Sequence, residues 1–86
     1  MAERAAVIPL YAFLEGDTLG LVIFADENES VKDLARKVQR AAALRVKPTE
    51  DAHVYFKGAR LDASLAVSTQ LGALDRIEVV PIIKET

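Results

Sequence analysis

The chain has 86 residues, a formal net charge of −2 and no cysteine. This length supports a single hydrophobic core, so we expect one domain over residues 6–83 with short flexible termini at 1–5 and 84–86. The slightly acidic balance excludes the basic surface that nucleic-acid-binding proteins use for phosphate contacts. The absence of cysteine excludes disulfides, thiolate metal sites and cysteine nucleophiles.

The apolar content is high for a small domain. No run approaches the roughly 20 apolar residues of a membrane helix, and residues 1–4 do not begin a signal peptide, so the chain is expected to be soluble and cytoplasmic. Apolar residues nevertheless make up 51% of the sequence. A domain of this size exposes much of its surface, so part of this apolar excess must lie outside the core.

The first part of the chain predicts a β-hairpin. The apolar run at 7–14 indicates a strand, residues 15–18 supply the glycine and short polar residues of a turn, and residues 19–25 form the returning strand. Pro9 cannot donate to a ladder, which suits a strand start or an edge. The second strand is apolar at consecutive positions, so both of its faces are apolar.

One amphipathic helix follows the hairpin. Ser30 is the predicted N-cap, with Asp33 at the position of a capping-box carboxylate, and the helix must end before Pro48. Apolar residues recur at helical spacing: Val31, Leu34, Ala35, Val38, Ala41 and Ala42. The opposite side is polar: Lys32, Asp33, Arg36, Lys37, Gln39 and Arg40. We interpret its basic stripe, formed by Lys32, Arg36, Lys37 and Arg40, as a solvated face, with docking to an acidic partner as the alternative.

A third strand is predicted at the start of the segment 53–61. Its alternation places Val54 and Phe56 on one face and His53 and Tyr55 on the other. The third strand therefore has one face for the core and one for the surface.

The remainder of the chain completes the sheet. Gly58 opens a turn, and a short further strand begins at Leu61. Residues 64–74 are irregular, with four apolar residues expected to fill the core: Leu65, Val67, Leu71 and Leu74. A final strand is predicted over 77–83.

No set of residues in the sequence forms a plausible catalytic site. His53 is the sole histidine, and a zinc or diiron site needs several ligands, so we interpret His53 as a surface or interface residue. Ser30, Ser64 and Ser68 lack a nucleophile-elbow motif, and the four glycines are too scattered for a phosphate-binding loop. We therefore expect no catalytic, cofactor-binding or metal-binding residue in this chain.

The order of elements predicts an α+β domain with one helix laid across a mixed sheet. The segments "ESVKDLARKVQ", "VKPTEDAHVYFKGARLD" and "DRIEVV" resemble the ubiquitin-like β-grasp family, over about residues 10–80. This resemblance implies a mixed sheet of four to five strands with the helix packed across one face. Residues 83–86 contain no Gly-Gly, so a conjugating role is not expected.

A narrower resemblance is to the small ubiquitin-like subunit of bacterial soluble diiron monooxygenases, which oxidise toluene, xylenes and alkenes. The matching positions are Ile8-Pro9, Leu14-Glu15-Gly16-Asp17, Asp26 with Asn28 and Ser30, Ala35-Arg36-Lys37-Val38, and Arg45-Val46-Lys47-Pro48. The segment "VYFKGARLDASL" is instead closer to ubiquitin, so the resemblance does not identify the hydrocarbon substrate.

The narrower resemblance implies a role without catalysis. The chain would be an accessory (gamma) subunit in a hetero-oligomer with the large (alpha) and beta subunits of the hydroxylase. The diiron centre would lie in the large subunit, and this chain would supply none of its ligands. Its contribution would be to stabilise the large subunit by protein-protein contact.

The apolar second strand suggests where such a partner binds. In the ubiquitin-like alignment Leu21, Ile23 and Ala25 face the helix, whereas Val22 and Phe24 face away from it. One helix covers only one face of a sheet. The row formed by Val22 and Phe24 is therefore left for another protein.

The first strand has two possible registers. Either Tyr11 and Phe13 point outward, or Leu10, Ala12 and Leu14 do, and both sets are apolar. The sequence leaves this choice open.

The predicted partner interface combines three parts of the sheet. Tyr55 and Val80 also point outward, at positions that match part of the hydrophobic recognition patch of ubiquitin. The predicted interface residues are Tyr11, Phe13, Val22, Phe24, Tyr55 and Val80. Two alternatives remain: the outward residues are scattered singly on the surface, or the chain is a free-standing ubiquitin-like module that binds proteins without enzymatic activity.

Overall fold

The structure is a computed structural model that describes residues 6–83. The predicted flexible termini, 1–5 and 84–86, lie outside the described residues. The elements in chain order are β1 (Val7–Leu14), β2 (Gly20–Asp26), α1 (Val31–Ala41), β3 (Ala52–Phe56), β4 (Ala59–Arg60), a 3₁₀ turn (Val67–Thr69) and β5 (Arg76–Pro81).

The five strands form one mixed sheet with the order β2-β1-β5-β3-β4. β1 and β5 run parallel at the centre, and the other neighbouring pairs are antiparallel. α1 packs across one face, against β1, β2 and β3. The α+β class and the β-grasp arrangement predicted from the sequence are therefore confirmed.

The structure resolves the two possible registers of β1. Leu10, Ala12 and Leu14 are each at most 2% exposed and face α1. Tyr11 and Phe13 consequently lie on the opposite face. The apolar face that the first strand turns outward is the aromatic one.

The predicted two faces of β2 are confirmed. Ile23 and Ala25 are buried in the core, and Leu21 packs against it. Val22 and Phe24 are more than half exposed on the other face. β2 begins and ends one residue later than the sequence predicts, at Gly20 and Asp26.

The helix begins where the sequence predicts. The Ser30 hydroxyl accepts a hydrogen bond from the Asp33 N–H at 3.1 Å, which satisfies one of the free donors at the helix start. At the other end Ala42 is buried, but Ala41 is exposed, so its predicted place in the core is wrong. Ala42 lies one full turn after the buried Val38, whereas Ala41 is rotated toward solvent.

Gln39 is the largest correction on the helix, because it was predicted on the solvated side and is only 2% exposed. Its amide nitrogen donates to the Thr49 carbonyl at 3.2 Å, and its amide oxygen accepts from the Thr49 N–H at 2.8 Å. The connection after α1 folds back over this position. The Gln39 amide thereby satisfies the backbone N–H and carbonyl of Thr49 in a partly buried loop.

The segment between β4 and β5 fills the core with only two of its four predicted residues. Val67 and Leu71 are buried, but Leu65 is 45% and Leu74 is 59% exposed. Leu65 meets the helix through its backbone, because its carbonyl accepts from the Val31 N–H at 3.0 Å. Leu74 has φ +66, which turns the chain so that its side chain leaves the core.

The last two strands differ slightly from their predicted limits. β4 precedes Leu61, since the turn at Gly58 (φ +80) brings residues 59–60 directly beside β3. The final strand ends at Pro81, two residues before the predicted limit, where its pairing with Ala52 ends.

Candidate protein-binding surface

The candidate site is the outer face, defined as the sheet face opposite α1. Its β1 and β2 residues form what we call the outer patch: Val7, Pro9, Tyr11, Phe13, Val22 and Phe24. Among the described residues α1 is the one α-helix, and it covers the other face of the sheet. Val22 is 55% and Phe24 62% exposed, and Tyr11 is 44% exposed. These are large apolar surfaces for a sheet to present to solvent.

Strand register makes the outer patch contiguous. Tyr11 lies opposite Val22, and Pro9 lies opposite Phe24, so each pair is adjacent on the same face. Phe13 lies opposite Gly20, and its ring occupies the space of the missing side chain. A Cβ at Gly20 would lie 2.7 Å from Phe13 Cε1. The patch is therefore a packed surface rather than isolated residues.

Two charged residues of β5 border the outer patch. Arg76 lies opposite Tyr11 and Glu78 opposite Phe13 in the parallel pairing, and both are exposed. The Arg76 guanidinium carbon is 4.2 Å from the centre of the Phe13 ring, a cation-π contact. An apolar patch with a polar rim is typical of protein interfaces.

A second, smaller group lies on β3 and at the end of β5. The rings of His53 and Tyr55 meet edge to face with centroids 6.3 Å apart, and Val80 lies opposite His53. All three side chains are partly buried, and Glu78 lies opposite Tyr55. Of the predicted interface residues, the structure thus brings four together on β1 and β2: Tyr11, Phe13, Val22 and Phe24. It separates Tyr55 and Val80 from these four: Tyr55 lies on β3, across β5, and Val80 follows Glu78 along β5 itself.

Leu74 is an exposed residue that the sequence analysis assigned to the core. Its N–H donates to the Pro9 carbonyl at 2.6 Å, which joins it to β1 at the outer patch. The turn is held by the Asp75 carboxylate, which accepts from the Gly72 N–H at 2.7 Å. A leucine with positive φ is strained by about 1–2 kcal/mol. Glycine is the residue that ordinarily adopts this conformation, so a leucine at position 74 gives no sign of it in the sequence.

The basic stripe of α1 is partly engaged within the molecule. Lys37 Nζ lies 2.8 Å from Glu29 Oε1 and donates to the Phe24 carbonyl at 2.9 Å. Arg36 is 3.8 Å from Asp33, one turn earlier on the helix. The solvated-face interpretation therefore fits part of the stripe, and Lys37 belongs to the edge of the sheet.

Two carboxylates have shifted pKa values with structural causes. The Arg45 guanidinium donates to both Asp17 oxygens, at 2.9 and 2.8 Å, and holds the pKa of that carboxyl below its usual range. Hydrogen bonds from the Ser64 hydroxyl and N–H lower the pKa of Asp62. Because its pKa is lowered, each carboxylate stays charged, and its hydrogen bonds order the turn in which it lies.

Residues 6–83 contain neither a metal-binding cluster nor a membrane-spanning helix. Within that range, no three His, Cys, Asp or Glu side chains group so that they could hold a metal ion. None of the described helices combines the length and the apolar character required to cross a bilayer.

The chain is similar to a chain of a monooxygenase complex and to several ubiquitin-like structures. A chain of the toluene 4-monooxygenase HD complex with the inhibitor 4-bromobenzoate is 24% identical, with a TM-score of 0.80 over 90% of this chain and 100% of that chain. Ubiquitin of Caldiarchaeum subterraneum is 16% identical, with a TM-score of 0.71 over 94% and 100%.

A eukaryotic domain has a comparable likeness. The ubiquitin-like domain of Plasmodium falciparum Dsk2 is 15% identical, with a TM-score of 0.68 over 90% of this chain and 100% of that chain. No protein-family model matches the sequence, and no curated protein matches it. Identities at this level establish a shared fold, and function must be argued from the surface.

Proposed function

We propose that this chain, which has the ubiquitin-like β-grasp fold, is the non-catalytic accessory (gamma) subunit of a monooxygenase hydroxylase. The enzyme would oxidise aromatic or alkene hydrocarbons with O₂. Support comes from the likeness to a chain of the toluene 4-monooxygenase HD complex, which extends over that chain's whole length. In this role the chain binds the large subunit and stabilises that subunit's fold.

The outer patch is the observation that carries the proposal. Monomeric proteins rarely leave contiguous apolar patches beyond roughly 300–600 Å² uncovered. Burial of a large apolar side chain stabilises a complex by about 1.5–3 kcal/mol before the costs of association. The four exposed members, Val7, Tyr11, Val22 and Phe24, are therefore sufficient anchors for a lasting interface.

The partners follow from this role. The large (alpha) subunit would carry the carboxylate-bridged diiron centre that activates O₂, and a beta subunit would complete the hetero-oligomer. The iron ligands would all come from the large subunit. We place the assembly in the cytoplasm, where a chain free of cysteine needs no oxidising compartment.

Co-purification with variants tests the proposal. The tagged large subunit is expressed with this chain carrying Phe24→Glu in the outer patch, or Leu44→Glu as the matched control. Leu44 is fully exposed outside the outer patch, so both variants exchange an exposed apolar side chain for a charge. We expect Phe24→Glu to be lost from the complex and Leu44→Glu to be retained; the reverse pattern would contradict the proposal.

A free-standing ubiquitin-like binding module is the second candidate. The observation that favours it is the group of His53, Tyr55 and Val80, which is separate from the outer patch. Tyr55 and Val80 lie at positions that resemble part of the recognition patch of ubiquitin. In this case Tyr55→Asp abolishes a reversible interaction while the fold persists. Retained binding in that variant would exclude this group as the contact.

A further inference from the structure

β2 is an edge strand of the sheet. Successive residues of a strand direct their backbone N–H and carbonyl groups to opposite sides, so only every second residue of β2 can bond to β1. On the side of β5, the N–H groups of Tyr11 in β1 and of Glu15 directly after it donate to the carbonyls of Asp75 and Val79, at 3.0 and 2.8 Å. The odd-numbered residues of β1 therefore bond β5, and the even-numbered residues bond β2.

The same alternation fixes the free side of β2. Glu27 N–H donates to the Ala6 carbonyl at 2.9 Å, so the hydrogen-bonded partners of β1 are the odd-numbered residues of the β2 segment. The even-numbered residues direct both backbone groups to the open edge: Gly20, Val22, Phe24 and Asp26. An open edge of this kind is a template for another strand.

One end of the open edge is already closed by side chains. The Asp26 N–H donates to Glu29 Oε1 at 2.8 Å, and Lys37 Nζ donates to the Phe24 carbonyl at 2.9 Å. Lys37 and Glu29 are themselves paired at 2.8 Å. The stretch that remains open runs from Gly20 to the N–H of Phe24.

We propose that a second copy of this chain pairs antiparallel with the open edge of β2, about a two-fold axis at Val22. In this register Val22 exchanges two hydrogen bonds with Val22 of the second copy. Each Phe24 N–H donates to the Gly20 carbonyl of the other copy, which adds two more. The two sheets become one continuous sheet of ten strands.

The arrangement of free groups selects the second copy as the occupant. Four free groups are complementary to themselves about Val22, as a two-fold interface requires: the N–H and carbonyl of Val22, the N–H of Phe24 and the carbonyl of Gly20. The remaining Gly20 N–H faces the Phe24 carbonyl, which already accepts from Lys37 and has a second lone pair. The pairing leaves the contacts of Glu29 and Lys37 intact. A register moved by two residues toward the end of β2 would instead place Gly20 against the Asp26 N–H, which is engaged.

Side chains on the outer face favour the same register. Phe24 would lie beside Gly20 of the second copy, which has no side chain and is covered by a Phe13 ring. Aromatic rings from the two copies would then meet across the new strand pair, a favourable cross-strand contact. The outer face remains open, so this pairing is independent of the proposed binding to a large subunit.

Sedimentation analysis of the full chain tests the pairing, from micromolar to millimolar concentration. Val22→Pro removes an N–H that points to the open edge and leaves the β1 ladder complete. Val22→Thr is the matched control, since it keeps the N–H and the branched side chain. We expect wild type and Val22→Thr to dimerise alike, and Val22→Pro to dimerise roughly tenfold or more weakly, because each copy loses one hydrogen bond.

Amide exchange in the wild-type chain gives a readout without a variant. The N–H groups of Val22 and Phe24 should exchange quickly when dilute and become protected as concentration rises. Ile23, which already bonds β1, should stay protected throughout. A chain that is monomeric at every concentration, concentration-independent exchange at Val22 and Phe24, or a Val22→Pro chain that dimerises like wild type would each overturn the proposal.

Discussion

Phe24→Ala separates the two roles that a residue of the outer patch could have, in the fold and in the complex. Phe24 is 62% exposed in this chain, so roughly two fifths of its side chain is buried by the fold. Full burial of a phenylalanine stabilises by about 1.5–3 kcal/mol. Truncation should therefore cost the isolated chain about 0.5–1 kcal/mol and the complex a further 1–2 kcal/mol or so.

The assay measures both quantities with one control. Urea unfolding gives the free energy of unfolding of the isolated chain, and titration onto the purified large subunit gives the affinity. We expect affinity to fall roughly 5- to 30-fold. Leu34→Ala is the control, because Leu34 is fully buried and its truncation costs about 2–5 kcal/mol of folding stability. Unchanged affinity of Phe24→Ala, or a loss of folding stability as large as that of Leu34→Ala, would refute the reasoning.

Three further predictions concern the fold. Leu74→Gly should raise the free energy of unfolding by about 1 kcal/mol in urea titration, because glycine adopts the positive φ without strain; a destabilised variant would show that the leucine side chain contributes more than its conformation costs. Gln39→Leu should lower the free energy of unfolding by about 1–3 kcal/mol, and with it the melting temperature, since the backbone groups of Thr49 lose their partner. A melting temperature equal to that of wild type would contradict this. The pKa of Asp17 lies below its usual 3.8 in the folded chain, so its contribution to stability is complete above that pH and is lost as the pH falls through the folded value. Unfolding measured against pH should therefore lose this contribution in Asp17→Asn and in Arg45→Met, and an unchanged acid profile in both would be the contrary result.

The features that the sequence predicts correctly are those set by local chemistry. The Ser30 cap depends on a hydroxyl three residues before a free N–H, and both residues are visible in the sequence. The two faces of β2 follow from the period of a strand, given a helix on one side. Neither inference needs knowledge of distant segments.

The features that the sequence did not determine depend on distant contacts. Both rows of β1 are apolar, so only the pairing with β2 and β5 decides that Leu10 is buried and Tyr11 is exposed. Gln39 is polar and lies at a helical surface position, but a loop ten residues later covers it. Leu74 is apolar, and a turn conformation sends it outward.

The outer face of the sheet shows the same division. Alternation predicted the outward direction of Val22 and Phe24, and the structure places Tyr11 and Phe13 beside them. The charges of Arg76 and Glu78 on β5 separate this group from Tyr55 on β3, which was predicted to join it. Val80, also predicted to join it, lies farther along β5, past the end of its pairing with β1. That separation depends on the strand order, which brings β5 between β1 and β3.

Native mass spectrometry of the co-expressed assembly tests the central claim most directly. The chain is expressed together with the large and beta subunits of a diiron hydroxylase, and the purified assembly is weighed intact. The proposed role predicts an assembly mass that includes this chain in fixed ratio to the large subunit. A large subunit that assembles fully without it, with this chain recovered only as a separate species, would contradict the account.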